Sequence, residues 1–308
     1  MEEIMLSIVL PVYNHEKYIA QALDSVLMQK TKYSYEVLVG EDASADNTGM
    51  ILKEYEKTYP GKFKVFYREK NMFQMGKSNS LDLRQRAKGK YLVFLEGDDF
   101  WTDENKIERQ ISFLEEHPDY IAVAHNCVVV GETSAPNGEN YPECKDGEYT
   151  LGHFLCGILP GQLATVMTRN YMREPLFDTS ILKKNLSPGD KLLYFALAAN
   201  GRVHCIQEVM SAYRHVKKGG SSFSATYRYN FPKEENWYRE LLHYARSLQN
   251  TDAEKCAETL YFAETFYGFR AKYITFSEML DYHKNIRHKF SVMCLYIRRA
   301  FRKRKNQS

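Results

Sequence analysis

Short apolar runs that end on acidic residues are the feature that most constrains how this chain can fold. Residues 91–95 form one such run and are followed by Glu-Gly-Asp-Asp at 96–99, while residues 35–39 form another and are followed by Gly-Glu-Asp at 40–42. Apolar runs this short are typical of buried parallel strands. Ligands of open α/β sheets bind outside the carboxyl ends of such strands. The two acidic segments therefore indicate a ligand site at one edge of a parallel sheet.

Strand and helix patterns alternate along most of the chain. Further strand patterns cover 4–12, 63–67, 120–130 and 202–214, and helical patterns cover 18–27, 46–59, 80–87, 102–117 and 187–200. Asp46 and Thr102 are the predicted N-caps of the second and fourth of these helices. Alternation of this kind implies right-handed crossovers in a mostly parallel, Rossmann-like α/β sheet flanked by helices. Residues 131–150 are predicted to be an exposed excursion, and the chain turns helical from about residue 227.

Composition argues against several classes of protein. A formal charge of +3, with no basic stripe in the first half, argues against nucleic acid as a main partner. The six cysteines are scattered without a Cys-x-x-Cys pair, so we interpret them as reduced thiols of a cytosolic protein. The first apolar run lacks the basic segment of a signal peptide, and no apolar stretch approaches the roughly 20 residues of a membrane-spanning helix. Any membrane contact is therefore predicted to be peripheral.

Asp98 and Asp99 are the first candidates for chemistry. Adjacent carboxylates after a buried strand suit Mg²⁺ or Mn²⁺, which prefer oxygen ligands and often bind through one or two carboxylates together with substrate phosphates. The alternative is that the pair only caps a helix or lies in a solvated turn. Because Thr102 already offers a cap for the following helix, the sequence favours the cation site.

Asp42 has the same position after the neighbouring run. A carboxylate at the carboxyl end of a strand can accept the N–H of a nucleobase. Pro11 and Tyr13, at the end of the first strand, would form the wall of the same pocket, with Tyr13 offering a stacking face. A solvated turn is the alternative for Glu41 and Asp42, whereas Asp46 fits helix capping better than ligand binding.

Three ordered motifs carry a family resemblance. They are residues 7–14 (Ser-Ile-Val-Leu-Pro-Val-Tyr-Asn), 36–48 (Glu-Val-Leu-Val-Gly-Glu-Asp-Ala-Ser-Ala-Asp-Asn-Thr) and 87–99 (Ala-Lys-Gly-Lys-Tyr-Leu-Val-Phe-Leu-Glu-Gly-Asp-Asp). Together they resemble family-2 glycosyltransferases, strongly over about the first 130 residues and weakly to about residue 222. The resemblance implies a GT-A fold, a nucleotide-diphospho-sugar donor, a divalent cation and inversion at the anomeric carbon.

The resemblance also suggests a domain organisation. It implies a glycosyltransferase domain over 1–222, with a nucleotide-binding half (1–130) and an acceptor-side half (131–222). A helical C-terminal extension would cover 223–308.

The resemblance assigns roles to individual residues of the donor site. Pro11, Tyr13 and Asp42 fall where the family holds the nucleotide base, which is commonly uracil. Asp98 and Asp99 fall on its Asp-x-Asp-type metal motif, with Asp99 the favoured direct ligand.

Two short segments depart from the common family pattern. Glu96-Gly97 stands where Asp-Ser or Asp-Ala is usual, and Gly40-Glu41 stands where an apolar residue and Asp are usual. Since Glu is a serviceable oxygen ligand, cation binding is expected to survive. Whether Glu96 itself ligates the cation stays open.

Asp190 falls where the family places its catalytic base, at the start of a helix. An inverting displacement needs a carboxylate to accept the proton of the acceptor hydroxyl. The alternative is that Asp190 only caps its helix. With the resemblance, we favour the base.

Several other residues are weaker candidates. Lys77 would neutralise the phosphates of the donor, unless it is a solvated loop residue. Arg214 and His215 would meet the diphosphate when the loop at 217–222 closes over the site. His125 and Asn126 would contact the acceptor sugar.

These features predict a metal-dependent, inverting glycosyltransferase of cell-surface polysaccharide synthesis. It would move a sugar from a nucleotide diphosphate donor, expected to be a UDP-sugar, to a hydroxyl of a saccharide or lipid-linked saccharide. A nucleotidyltransferase is one alternative, although no Gly-rich basic loop follows the first strand. A non-catalytic sugar-nucleotide or glycan-binding protein is another, although pure binding would not require Asp190.

The pattern of residues near the C-terminus predicts that a membrane surface is a further partner. Residues 290–305 combine apolar and basic side chains at helical spacing, which suits peripheral contact with an anionic membrane at its inner face. A solvated, frayed terminus is the alternative. No pattern in the sequence identifies the sugar, the acceptor or the oligomeric state.

Overall fold

The computed structural model describes residues 3–173, 177–184, 186–216 and 227–305, with side chains as far as residue 300. The chain divides into two compact units. The first comprises residues 1–149, 159–179 and 201–226, and the second comprises 150–158, 180–200 and 227–308. The predicted boundary at residue 222 follows chain order, whereas the compact units do not. The predicted loop at 217–222 lies outside the described residues.

The first unit is built on one mixed sheet. Its described strands are β1 Leu6–Val12, β2 Tyr35–Glu41, β3 Phe63–Tyr67, β4 Tyr91–Phe94, β5 Phe100–Trp101, β6 Tyr120–Val130, β7 Glu148–Tyr149, β8 Met167–Arg169 and β9 Arg202–Arg214. Their order is β3-β2-β1-β4-β8-β6-β9-β5, with β7 paired to β9. Strands β1 to β4 run parallel, whereas β8 is antiparallel to both β4 and β6. The predicted Rossmann-like α/β sheet is therefore confirmed, with an antiparallel strand inserted beside its parallel half.

Four helices of the first unit accompany the parallel strands. They are α1 Ile19–Leu27, α2 Thr48–Thr58, α3 Asn79–Arg86 and α4 Lys106–Glu116. Helix α1 buries Ile19, Ala22, Leu23 and Val26, which recur at the spacing of one helix face. Strand β1 is buried along almost its whole length, as expected of a central strand covered on both faces.

The two predicted helix caps have different outcomes. Helix α4 begins at Lys106, so the predicted cap at Thr102 was wrong. Residues 100–101 instead form β5, which pairs with β9, and the Thr102 N–H donates to the carbonyl of Met210 at 3.0 Å. The N-cap of α2 is Asn47, so the predicted cap at Asp46 was wrong by one residue, although the Asp46 carboxylate does accept the N–H of Thr48 at 3.0 Å.

The segment at 131–150, which was predicted to be exposed, is only partly exposed. Its Cys144 is fully buried, and residues 148–149 form β7 against β9. This segment is therefore anchored to the sheet at its end. All six cysteines are free thiols, as predicted.

Helices make up most of the second unit. They are α5 Leu151–Leu155, α6 Gly189–Asn200, α7 Phe231–Ser247, α8 Thr251–Arg270, α9 Phe276–His283 and α10 Lys289–Lys305. The side chains of Asn230 and Asn250 cap α7 and α8 by accepting backbone N–H groups. These helices confirm the predicted helical C-terminal region. Among the described residues, no helix is both long and apolar enough to cross a membrane.

A polar group is buried inside the first unit at His125 of β6. The side chain is fully buried, and its Nδ1–H donates to the carbonyl of Asn126 at 2.8 Å. Burial, and then the charge of Lys106, hold the pKa of His125 well below its usual value. Because His125 is shielded from solvent, its predicted contact with an acceptor sugar was wrong. Asn126 is also buried.

We expect the free energy of unfolding to fall as the pH drops below about 6.5, the usual pKa of histidine. There the unfolded chain takes up a proton that folded His125 does not, which costs up to about 1.4 kcal/mol per pH unit. His125→Gln should remove this contribution in urea denaturation between about pH 7.5 and 5.5. The control is His243→Gln, at a side chain that is 58% exposed. Equal pH profiles for the two variants would contradict the prediction.

Candidate active site

The ends of β1 and β2 bring three candidate residues side by side. Pro11 of β1 is in register with Gly40 of β2, and the N–H of Asp42 donates to the carbonyl of Val12 at 3.0 Å. Tyr13 follows Val12 directly and is 36% exposed, whereas Asp42 is buried. One accessible aromatic face and one buried carboxylate thus lie at the same edge of the sheet.

The two loops that leave this edge are bonded to each other. Asn14 and Ala43 both have left-handed backbone conformations, with φ of 56° and 58°. The Asn14 side chain accepts the N–H of Ala45 at 2.8 Å, and the N–H of Asn14 donates to Ser44 Oγ at 2.9 Å. Asparagine tolerates the left-handed region because its short side chain bonds locally. These bonds fix the backbone directly after Tyr13.

Asp42 also supports a third loop. Its Oδ1 accepts the N–H of Met72 at 2.8 Å, and the Asn71 side chain donates to the Asp42 carbonyl at 3.1 Å. Burial raises the pKa of Asp42, while the N–H groups of Met72 and Phe73 oppose the rise. The same loop carries Lys77, whose side chain is exposed. Asp42 therefore anchors the loop of another candidate residue, which the sequence did not indicate.

The acidic residues after β4 form a cluster. Carboxylate oxygens of Glu96, Asp98 and Asp99 lie within 4.8 Å of one another. Asp99 is 1% exposed, while the side chain of Asp98 is 19% exposed. Burial, and then the charges of Asp98 and Glu96, raise the pKa of Asp99 well above its usual value. Each of these carboxylates opposes the ionisation of the others, and a bound cation would relieve that repulsion. Because all three residues offer oxygen ligands, this set of donors fits a hard divalent cation.

Two neighbours hold the Asp99 carboxylate. Its Oδ1 accepts the backbone N–H of Arg214 at 2.8 Å, and its Oδ2 accepts the Gln162 side-chain amide at 2.8 Å. Gln162 was missed by the sequence analysis, because no motif surrounds it and its partner is 63 positions away.

The Arg214 side chain binds protein groups with all its donors, which corrects its predicted contact with a diphosphate. Arg214 is 2% exposed, and its Nε–H donates to the carbonyl of Asp98 at 2.8 Å. The other four N–H groups face Gly131 O, Glu132 O, Gln21 Oε1 and Ser134 Oγ at 2.8–3.1 Å. Arg214 therefore joins the acidic segment to two other parts of the first unit. His215 instead faces Glu139.

The glycine in each of the two departures from the family pattern lies against a neighbouring side chain. A Cβ at position 97 would lie 2.6 Å from His15 Nδ1, and a Cβ at position 40 would lie 2.3 Å from Asn79 Oδ1. The Asn79 side chain also donates to the carbonyl of Gly40 at 2.8 Å. A side chain at position 97 or 40 would therefore displace the side chain of His15 or of Asn79. His15 Nε2 lies 3.9 Å from Asp98 Oδ2, at the border of the acidic cluster.

Asp190 belongs to the second unit, whereas the other candidates belong to the first. It is the second residue of α6, and its Oδ1 accepts the N–H of Lys191 at 2.8 Å. Burial raises the pKa of Asp190, while this N–H and the charge of Lys191 oppose the rise.

The sheet, together with an acidic segment directly after its fourth parallel strand, defines the GT-A class of glycosyltransferases. S. aureus TarS 1–349 in complex with UDP-GlcNAc superposes with a TM-score of 0.62 at 19% identity, covering 96% of this chain and 79% of that one. The mannosyltransferase PcManGT from Pyrobaculum calidifontis, in complex with GDP-Man and Mn²⁺, gives a TM-score of 0.51 at 15% identity, covering 96% and 86%. At these identities the likeness establishes the fold.

Sequence comparison then gives the family. The model of Glycosyl transferase family 2 matches residues 7–165, and the chain belongs to this family. The uncharacterised protein Rv1520 of Mycobacterium tuberculosis is 32% identical over 214 residues, which cover 70% of this chain and 60% of the relative. Poly(ribitol-phosphate) beta-N-acetylglucosaminyltransferase TarS of Staphylococcus aureus is 25% identical over 267 residues, covering 84% and 43%. The chain thus spans 60% or less of the length of these relatives.

We expect Arg214→Lys to lower the free energy of unfolding by about 2 kcal/mol or more. An ammonium cannot replace five guanidinium donors, and each carbonyl left without a partner costs about 1–3 kcal/mol if it is buried. Urea denaturation measures the change. Arg202→Lys, at the other end of β9, is the control, because its side chain is 50% exposed and exposed pairs contribute about 0–1 kcal/mol. Equal losses in both variants would refute the role given to Arg214.

Proposed function

We propose that the protein is a metal-dependent, inverting glycosyltransferase that takes its sugar from a UDP-sugar. The acceptor would be a hydroxyl of a saccharide or lipid-linked saccharide in cell-surface polysaccharide synthesis. One observation carries this proposal: in a family-2 chain, the buried Asp42 beside Tyr13 and the carboxylate cluster at 96–99 follow neighbouring strands of one sheet. The names of the relatives support the class of substrate, since TarS is an N-acetylglucosaminyltransferase and GgaB of Bacillus subtilis is a minor teichoic acid biosynthesis protein.

The residues of the first unit would bind the donor. Pro11, Tyr13 and Asp42 would hold the base, with the exposed face of Tyr13 available for stacking. Asp98 and Asp99 would hold Mn²⁺ or Mg²⁺, which when bound neutralises charge on the departing diphosphate. Lys77, exposed on the loop that Asp42 anchors, would add a positive charge for the phosphates.

Asp190 would be the general base. A carboxylate accepts the proton of a hydroxyl more readily when its pKa is raised, and burial raises the pKa of Asp190. The bond from the Lys191 N–H to Oδ1 fixes the orientation of the carboxylate.

A non-catalytic sugar-nucleotide-binding protein is the second candidate. It would use the same base pocket and cation site, and only turnover separates it from an enzyme. A nucleotidyltransferase has less support, because the turn after β1 bonds to its neighbouring loop and has no Gly-rich basic sequence.

We expect Asp190→Asn to abolish slow release of UDP from UDP-GlcNAc, while Mn²⁺-dependent UDP binding stays close to wild type. Loss of a general base lowers rates by about 10²–10⁴-fold, whereas donor binding does not need it. Calorimetry measures binding, and chromatography of released UDP measures turnover across a panel of UDP-sugars. Asp99→Ala should instead weaken binding of UDP with Mn²⁺.

Asp119→Ala is the control for the removal of an acid, since its side chain is 54% exposed. It should leave both measurements unchanged. Unchanged turnover in Asp190→Asn would remove the assignment of the base. If wild type binds UDP-sugars with Mn²⁺ and releases UDP from none of them, the binding protein is the correct description.

Contact with the inner face of an anionic membrane is the second part of the proposal. Helix α10 exposes Phe290, Met293 and Ile297 to 84%, 46% and 47%, on one face at i, i+3 and i+7. Its opposite side packs inward, with Val292 buried and Tyr296 5.2 Å from the Phe262 ring of α8. Six of the eight residues at 298–305 are Arg or Lys. An apolar face beside clustered basic residues is the pattern of an interfacial helix.

We expect the protein to bind vesicles of phosphatidylcholine with about 30% phosphatidylglycerol, and to bind them less at high salt, because the basic residues are screened. Replacing Phe290 and Ile297 together by Ser should reduce cosedimentation, since it removes the apolar face. Met50→Ser, at a residue that is 65% exposed on α2, is the control. Absence of binding to these vesicles, or equal binding to pure phosphatidylcholine, would reject an anionic membrane as the partner.

A further inference from the structure

We propose that Gln162 is a positioning residue of the cation site, which fixes the Asp99 carboxylate in the orientation that a divalent cation requires. The inference rests on the proposed cation site at 96–99 and assigns to it a residue from outside the acidic segment. Gln162 Nε2 donates to Asp99 Oδ2 at 2.8 Å, and both residues are buried, with 4% and 1% of their surface exposed.

The orientation of the Gln162 amide is determined by its other contact. Its Oε1 accepts the backbone N–H of Ala164 at 2.6 Å. A reversed amide would set its NH₂ group against that N–H, so the oxygen must face Ala164 and the NH₂ group must face Asp99. The side chain therefore donates to the carboxylate and cannot exchange its two ends.

The turn that carries Gln162 is itself fixed. The Gln162 carbonyl accepts both the N–H and the hydroxyl of Thr165, at 2.8 Å and 2.7 Å. The Trp101 indole N–H donates to the carbonyl of Ala164 at 3.2 Å. A Cβ on Gly161 would lie 2.2 Å from Thr165 Oγ1, so the backbone there is closely packed. Because the backbone of this turn is fixed, the Gln162 side chain holds the Asp99 carboxylate in one position.

The hydrogen bonds to the Asp99 carboxylate leave some of its acceptor positions available for a cation. A carboxylate has about four acceptor positions, and Gln162 and the Arg214 N–H take one on each oxygen. Each oxygen therefore keeps another lone pair, and one oxygen of Asp99 lies within 4.8 Å of carboxylate oxygens of Glu96 and Asp98. Both donors are neutral, so they orient the carboxylate without placing a positive charge against the cation. The charged guanidinium of Arg214 faces the Asp98 carbonyl instead.

The test measures Mn²⁺ binding in the presence of UDP, from the electron paramagnetic resonance signal of free Mn²⁺. We expect Gln162→Met to weaken Mn²⁺ binding by about 10–100-fold, the usual effect of losing a residue that orients a metal ligand. Binding of UDP without metal should stay unchanged. Gln29→Met is the matched control: Gln29 is also buried, and its amide accepts the Ile107 N–H and donates to the Asp103 carbonyl, away from the cluster.

A double-mutant cycle separates positioning from a general structural effect. If Gln162 acts through Asp99, Gln162→Met should have little further effect on Mn²⁺ binding in an Asp99→Asn background. If Gln162→Met does not fold, Gln162→Asn takes its place, because it keeps the amide but is one methylene shorter. Wild-type Mn²⁺ affinity in the variant, or equal losses in both backgrounds, overturns the role of Gln162. Failure of the wild type to bind Mn²⁺ with UDP overturns the proposed cation site as well.

Discussion

The burial of a carboxylate between two others is the constraint on which the first unit depends. Transfer of a charge out of water is costly unless it is paired and hydrogen-bonded. Asp99 is buried beside Glu96 and Asp98, and its two oxygens are bonded to Gln162 and to the Arg214 backbone. Since the Arg214 side chain also holds the Asp98 carbonyl, this one residue contacts the acidic pair through both its backbone and its guanidinium. The acidic cluster is thus held in place by the residues that surround it.

The parallel pairing of neighbouring strands brings motifs that are distant in the sequence into one site. Strands β2, β1 and β4 are neighbours that run in the same direction, so the segments after them meet at one edge. The two unusual glycines show how closely these segments pack. Each makes room for a side chain of another motif or loop, His15 for Gly97 and Asn79 for Gly40. At each of these positions, the space that a side chain would fill is therefore occupied by the side chain of another residue.

Local patterns were sufficient for most elements of the fold. The strands at 63–67, 120–130 and 202–214 have the predicted bounds, because each is an apolar or extended run between clear breaks. The start of α4 was missed, since residues 100–101 are held by pairing with β9, more than 100 positions later. The same limit applied to the site. The acids after β4 were visible as a motif, whereas the true partners of Arg214 are dispersed between positions 21 and 134.

The two residues that donate to Asp99 also bear on the predicted division of the glycosyltransferase domain into two halves. The sequence suggested a nucleotide-binding half at 1–130 and an acceptor-side half at 131–222. Gln162 and Arg214 belong to the second of these segments, yet both bond the carboxylate of a residue in the first. They reach it because the antiparallel strand β8 and the long β9 lie in the same sheet as β4. The later segment therefore has a structural task at the acidic cluster, and a fragment that ended at residue 130 would lack both donors to Asp99.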